Sequence, residues 1–461
     1  MKRFITSLDV EALAAAGERE LVVEPDVVVT AVAVEAAGRL GVRIVDGQQE
    51  AGRGRSVEMR PVPPGDGGPP QRGFPVGPLL DERTVEAWRE EFPILRDIIH
   101  VANCSHSPQS RHVRQAIDSY LENWKTVGMD WDYWMEEVYR AKVEFARLVG
   151  ASPEEVAVST SVSEAVASVA SALRVVGDRK KVVATEAEFP TVGHVWLAHQ
   201  KYGYKVEFVP LRQGQLTLDD YERYIDEDTL VASVTHVYYQ TGYKQDLAPV
   251  VELAHSRGAL VLVDAYQSLG TCPLDVKALD VDFLASGNLK YLLGIPGIAF
   301  LYVKKELVPA LKPAVTGWFG QENPFAFKVH YLDYARDARR FDTGTPPVIP
   351  AFAARAGMEI INHVGTKAIG ERIDMLSRVA LAAAARRGLK VASPGDVARK
   401  GATTAIEVPG GDSHAVEVAL KKRGIVASAR GPVIRVAPHF FTRPEDIERV
   451  MEEIADVFAR L

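Results

Sequence analysis

The sequence predicts an α/β fold: a mostly parallel sheet with helices on both faces, followed by a smaller C-terminal α+β domain. Three observations predict it. First, the apolar strand-like runs VVATEAEF, LVASVTHV, ALVLVDAY and VDFLAS alternate with helical stretches, the pattern of strands joined by crossover helices. Second, beyond about residue 350 a long helical stretch leads into the short strands ATTAIEV, GIVASA and PVIRVAP, and then the helix PEDIERVMEEIADVFARL. Third, 461 residues, 47% hydrophobic and 25% charged, are enough chain for more than one domain with a large buried core.

Taken in order, residues 1–46 read as a small accessory α/β unit. Thr6 and Asp9 have capping-box-like spacing before a short helix, ELVVE reads as a strand, Thr30 is placed to cap AVAVEAAGRL, and GVRIV reads as a second strand. A unit this short buries little surface alone, so it is expected to dock on a partner or an assembly. It resembles small N-terminal segments of some microcompartment-associated enzymes, a resemblance that implies no chemistry. Residues 47–83 are rich in proline, glycine and arginine and read as a flexible linker. The large domain is expected over 84–349 and the small α+β domain over 350–461, with no internal repeat anywhere.

Composition excludes several function classes. The net charge of -7 arises from 54 basic and 61 acidic residues spread along the chain, which leaves no dense basic stripe for nucleic acid. Acidic residues interrupt every apolar run near the N-terminus, so no signal peptide or membrane span is expected. The two cysteines, Cys104 and Cys272, are far apart and lack metal-ligand spacing. A disulfide framework or a metal site is therefore not expected, and a reducing, cytoplasmic setting fits.

Chemistry concentrates in LVLVDAYQSLGTCPLDVKALDVDFLASGNLKYLLGIPGIAFLYV, residues 260–303. An acid ends one apolar strand and a lysine follows the next, spacing that suits one cofactor between them. A pyridoxal ring needs a carboxylate against its pyridine nitrogen, and Asp264 is placed for that. It also needs an amine to form a Schiff base and move protons at the substrate α-carbon, and strand-end burial lowers a lysine toward working pH. Lys290 fits, and Gly294, Pro296 and Gly297 beyond it suggest a tight turn close to the site. Read singly, Asp264 is also an ordinary turn former and Lys290 an ordinary solvated lysine.

The ordered pattern resembles the class V branch of the fold type I pyridoxal 5′-phosphate enzymes, the group of cysteine desulfurases, kynureninases and isopenicillin N epimerase. The resemblance covers roughly residues 84–461 and implies a seven-stranded-type sheet. STSVSEAV looks like the family's phosphate turn, which gives Val162 and Ser163 to the cofactor phosphate, although Ser163 also reads as a plain helix cap. EAEFP matches the ring-stacking position, Phe189, and THVYYQTGYKQDL is similar to kynureninases. Tyr239 or Gln267 would meet the cofactor's phenolic oxygen. GWFG makes Trp318 a candidate ring at the cofactor and substrate, FDTGTPP places Gly344 and Thr345 where the family reaches into the partner's site, and PVIRVAP places Arg435 at the substrate carboxylate. A homodimer with composite sites follows from the resemblance.

The pattern also departs from each relative. Residues 424–435 hold no cysteine, so the persulfide-forming nucleophile of a desulfurase is missing, and Cys104 and Cys272 read as small packed residues. Kynureninases have an aspartate three residues after the stacking ring, a histidine after the pyridine aspartate and a tyrosine before the lysine; this chain has Val192, Gln267 and Leu289. The expected activity is β-elimination or C–S/C–C cleavage of a small amino acid through an external aldimine. Kynureninase-like hydrolysis, transamination and epimerisation are the alternatives, and a scaffold tethered by the N-terminal unit is the non-enzymatic one.

Overall fold

A computed structural model describes residues 3–5, 7–23, 27–29, 31–46, 74, 80–175, 177 and 179–460. Apart from residue 74 and residues 80–83, the expected linker lies outside the described residues. The chain forms two compact units, Met1–Phe74 with Leu121–Tyr139, and Pro75–Tyr120 with Arg140–Leu461.

The N-terminal segment runs β1 (Arg3–Ile5), α1 (Ser7–Ala15), β2 (Glu20–Val23), β3 (Val27–Val29), α2 (Ala31–Leu40) and β4 (Arg43–Asp46). Strands β1 and β3 were not expected, and the expectation of no repeat is overturned. Each half is a β-α-β unit, and each strand pairs in parallel with its counterpart: Arg3 with Val27 and Glu20 with Arg43. The sequence carries the same signal, because Thr6, Val10, Glu11, Ala12, Gly17 and Arg19 recur as Thr30, Val34, Glu35, Ala36, Gly41 and Arg43. Ile5, Val10 and Leu21 close on Ala33, Ala36, Ala37 and Val42 in one small core.

The second unit opens with α3 (Glu82–Arg89), which starts where Asp81 accepts the Thr84 N–H at 2.8 Å. After β5 (Ile99–His100), α4 (Arg111–Val127) and α5 (Trp131–Val149), two helices whose residues 121–139 belong to the first unit, the large sheet is laid down. Its elements are β6 (Val156–Ser159), α6 (Val162–Ala172), β7 (Lys181–Thr185), α7 (Pro190–His199), β8 (Lys205–Val209), α8 (Leu218–Glu222), β9 (Thr229–Thr235), α9 (Leu247–Ser256), β10 (Leu260–Asp264), β11 (Phe283–Gly287) and β12 (Ala299–Val303). The spatial order is β6-β12-β11-β10-β9-β7-β8. Only β12 runs against its neighbours. The other six strands are parallel and therefore end on one edge. β7, β9, β11 and β12 are buried along their whole length, which is why they read as unbroken apolar runs and not as alternating ones.

The C-terminal part comprises α10 (Val348–Val364), α11 (Thr366–Arg386), β13 (Thr404–Glu407), α12 (Ser413–Lys421), β14 (Ile425–Val426), β15 (Ser428–Arg430), β16 (Val433–Val436) and α13 (Pro444–Phe458). β13, β16 and β15 form an antiparallel sheet. Ile406, Ile434 and Val436 on one face pack with α11, α12 and α13 through Leu376, Leu420 and Ile454, so the opposite face looks away from the helices. β5 pairs in parallel with β14, which carries the following residues, 101–107, along the seam between the two sheets.

Candidate active site

Ligands in a parallel sheet gather beyond the carboxyl ends of its strands, and the residues named from the sequence divide along that edge. Asp264 ends β10, Lys290 follows β11, Phe189 follows β7, Tyr239 follows β9, and Val162 opens α6 just after β6. The reversed β12 contributes none of them.

Asp264 is buried, and its Oδ1 accepts the Tyr266 N–H at 2.9 Å. Burial raises its carboxyl above the usual range, while that N–H and the Lys290 charge pull it back. Such a group is best satisfied by a cationic N–H donor. The Lys290 amine is pushed down to about 8 by burial, against the attraction of Asp264. It faces two rings, with centroids 4.0 Å away at Tyr266 and 5.6 Å away at Phe189. Tyr266 reaches that place because residue 287 is glycine: a Cβ there would stand 2.1 Å from the tyrosine ring. Phe189 meets Tyr239 edge to face at 5.3 Å and remains 39% exposed, an apolar face left open beside the amine.

α6 is capped by Ser161, whose hydroxyl accepts the Glu164 N–H at 3.2 Å. The Val162 and Ser163 amides stand ahead of the first intrahelical bond, from Ala165 to Ser161, and form a ready anion site. The Ser163 hydroxyl donates to Thr191 at 3.5 Å. Glu164 takes hydrogen bonds from Thr160 and Thr343, which outweigh burial and lower its carboxyl.

Arg435 is buried on β16. Its guanidinium donates to the Tyr239 carbonyl at 2.7 Å, to Ser428 Oγ at 2.7 Å and to Ser105 Oγ at 2.9 Å. Its charge also reaches Lys290. Residues 103–107 lace these parts together: the Cys104 carbonyl accepts from Gln267 Nε2 at 3.0 Å, and the Ser107 hydroxyl donates to the Lys290 carbonyl at 2.6 Å. One Gln267 N–H is thus committed to the backbone. Both cysteines are buried.

Trp318 and Thr345 are not brought to this cluster: among the described residues, no contact joins either of them to Lys290 or Asp264. Trp318 belongs to an aromatic group with Phe319, Phe325 and Phe327. It lines a cavity of about 770 Å³ formed by residues 316–333. Thr345 is exposed two residues past Thr343.

Sequence reasoning missed Glu188, Asn288 and Ser428. Glu188 is buried behind Asp264, its oxygens accepting from Thr235 at 2.9 Å and Ser233 at 3.1 Å, and burial plus the Asp264 charge push it up to about 8. Its only sequence signal is an acid between Ala187 and Phe189 just past an apolar strand. Asn288 is fully buried, and neither polar atom of its side chain has a partner among the described residues.

A buried carboxylate, a desolvated amine, two first-turn amides, an open ring and an unpaired buried amide fit pyridoxal 5′-phosphate. Asp264 would meet the pyridine nitrogen, Lys290 the carbonyl carbon, and Val162 and Ser163 the phosphate.

The comparisons point to the same cofactor. Residues 102–439 match the family described as aminotransferase class-V. The chain is 42% identical over 382 residues to an uncharacterized aminotransferase, YcbU, of Bacillus subtilis (strain 168), covering 81% of this chain and 98% of that one. It is 28% identical over 354 residues to a kynureninase of Pseudomonas fluorescens, covering 73% and 82%. An apo cysteine desulfurase from Thermococcus onnurineus NA1 superposes with a TM-score of 0.74 at 23% identity, covering 82% of this chain and 98% of that one. The cystine C–S lyase C-DES does so with a TM-score of 0.72 at 18% identity, covering 79% and 99%.

Proposed function

The chain belongs to the class V aminotransferase family and is a pyridoxal 5′-phosphate enzyme, and from that premise we propose that it removes a β-substituent from a small amino acid. The observation that carries the reading is the desolvated Lys290 amine beside the open Phe189 ring, with the charges of Asp264 on the large sheet and Arg435 on the small one both acting on it. Pyridoxal phosphate, when bound, supplies an electron-withdrawing ring that takes up the pair left by a departing α-proton.

The chain's own residues do the rest. Arg435 offers a planar fork to the substrate carboxylate, exchanging its Ser105 and Ser428 partners for two carboxylate oxygens. That fixes the α-carbon on the Lys290 side. An amine with a pKa of about 8 is partly neutral near pH 7 and takes the α-proton without leaving the site. The Cβ–X bond then breaks, X departs with the bonding pair, and water converts the remaining enamine to pyruvate and ammonia. The absence of cysteine from residues 424–435 supports release of X over its capture by the protein.

The proposed working form is a homodimer in which Trp318 and Thr345 serve the partner's site. Its support is the exposure of Thr345 together with apolar Phe327, Val329, Tyr331 and Leu332 on the neighbouring segment. A second reading, kynureninase-like hydrolysis, is favoured by the Phe189–Tyr239 ring pair and the kynureninase relatives. Incubating the holoenzyme with amino acids and kynurenine and assaying pyruvate, ammonia, alanine and anthranilate separates the two. Pyruvate with ammonia is expected; anthranilate with alanine would replace the elimination reading by the hydrolytic one.

A further inference from the structure

The face of the small sheet that carries Arg435 holds a second arginine. Side chains two apart on a strand share a face, so Arg430 points with Ser428, whose hydroxyl binds Arg435. In the register, Ser428 lies opposite Arg435 and Arg430 opposite Val433. The second guanidinium is thus rooted about 7 Å along the strand from the residue opposite the first. The intervening Ala429 turns the other way and packs against the helices.

Two further observations aim Arg430 at the site. The hairpin tip beyond it abuts the segment after β9: a Cβ on Gly431 would stand 3.1 Å from Gln240 Nε2, next to the residue whose carbonyl holds Arg435. The Arg430 charge is also felt at the Lys290 amine. The Arg430 side chain is exposed, and no hydrogen bond or ion pair holds it among the described residues. The acid on that face, Glu407, is already paired with Lys390 at 2.7 Å.

Resting on the elimination reading, we infer that Arg430 receives an anionic group on the substrate side chain, so that the substrates are α-amino acids bearing on Cβ an anionic group that can leave with its bonding pair, a phosphate or a sulfonate. Arg435 takes one end of a doubly anionic molecule and Arg430 the other, leaving the α-hydrogen between them for Lys290. In elimination from such a substrate the α-proton goes to Lys290, the Cβ–X bond breaks, and X leaves with its pair as an anion matched by the guanidinium.

The test titrates the holoenzyme with O-phospho-L-serine and L-cysteate, with L-aspartate as an anionic ligand whose side chain cannot leave, and with neutral L-asparagine and L-alanine. Affinity is read from the change in visible absorption, and pyruvate release is measured in parallel. The wild type is expected to prefer the anionic ligands about tenfold or more, as a charge-assisted pair supplies. Arg430→Gln should cut the ratio of anionic to neutral affinity about tenfold, and Arg430→Lys should restore part of it. A wild type without that preference, or an Arg430→Gln protein that weakens both classes alike, overturns the inference while leaving the elimination reading standing. A holoenzyme whose absorption responds to no amino acid overturns both.

Discussion

The floor of the site and its rim are built differently. Asp264, Glu188 and Arg435 are buried, held by strand ends and hydrogen bonds that begin and end in this chain, and Asn288 is buried with them. Residues 316–347, which the proposed dimer makes the rim of the partner's site, display Phe327 at 72% exposure and Val329 at 91%, and the rings of Trp318, Phe325 and Phe327 contact one another. One chain fixes the groups that hold charge and protons. In the proposed dimer the groups that bound substrate shape meet a second surface, and that asymmetry can be tested from both sides.

The largest expected effect is on the floor. Lys290→Ala should abolish both turnover and the visible absorption that appears on adding cofactor; absorption that persists would move the amine's role elsewhere. In the wild-type apo form, the rate at which that absorption appears should rise with pH through about 8, because the neutral amine is the nucleophile. Next, Arg435→Lys keeps the charge but loses the fork, and should lower kcat/KM by about 100-fold through KM while leaving the cofactor absorption unchanged.

The rim gives a smaller and different effect. Lys290→Ala and Thr345→Ala proteins, unfolded and refolded together, should recover roughly a quarter of wild-type activity, because half the dimers are mixed and one site in each of those is complete. No recovery would make the rim a property of one chain. Smallest is Glu188→Gln. A carboxyl raised from about 4.5 to about 8 binds more protons folded than unfolded across that window, so it subtracts stability as pH rises through it. The apo-form Tm should therefore fall more steeply, or rise less, between pH 5 and 8 in the wild type than in Glu188→Gln; parallel curves would mean that Glu188 does not hold a proton there.

The sheet and the Asp264–Lys290 pair were legible because a strand buried on both faces leaves an unbroken apolar run, and a charge at its end stands out against it. Glu188 sits in the same kind of place, but nothing in EAEFP distinguishes an acid that turns inward from one that turns to solvent. Arg430 occupies ARGP, which reads as a turn, and the hairpin register that gives it a face with Arg435 is a tertiary fact. Ser105 and Ser428 are 323 residues apart and meet at 2.7 Å, a proximity no local pattern encodes. The N-terminal duplication was hidden for another reason: its identities are few, and their one run, Val10 to Ala12 matching Val34 to Ala36, lies among alanines and valines, which recur by composition alone.

That duplication sets a rule for cutting the chain. Because β1 pairs with β3 and β2 with β4, neither half owns a sheet, and the nearer halves of both sheets lie on the same side of any cut through residues 24–26. A truncation there does not leave a smaller working module; it strands half of each sheet without a mate. The repeat is a pair of teeth on one zip, to be kept or removed whole.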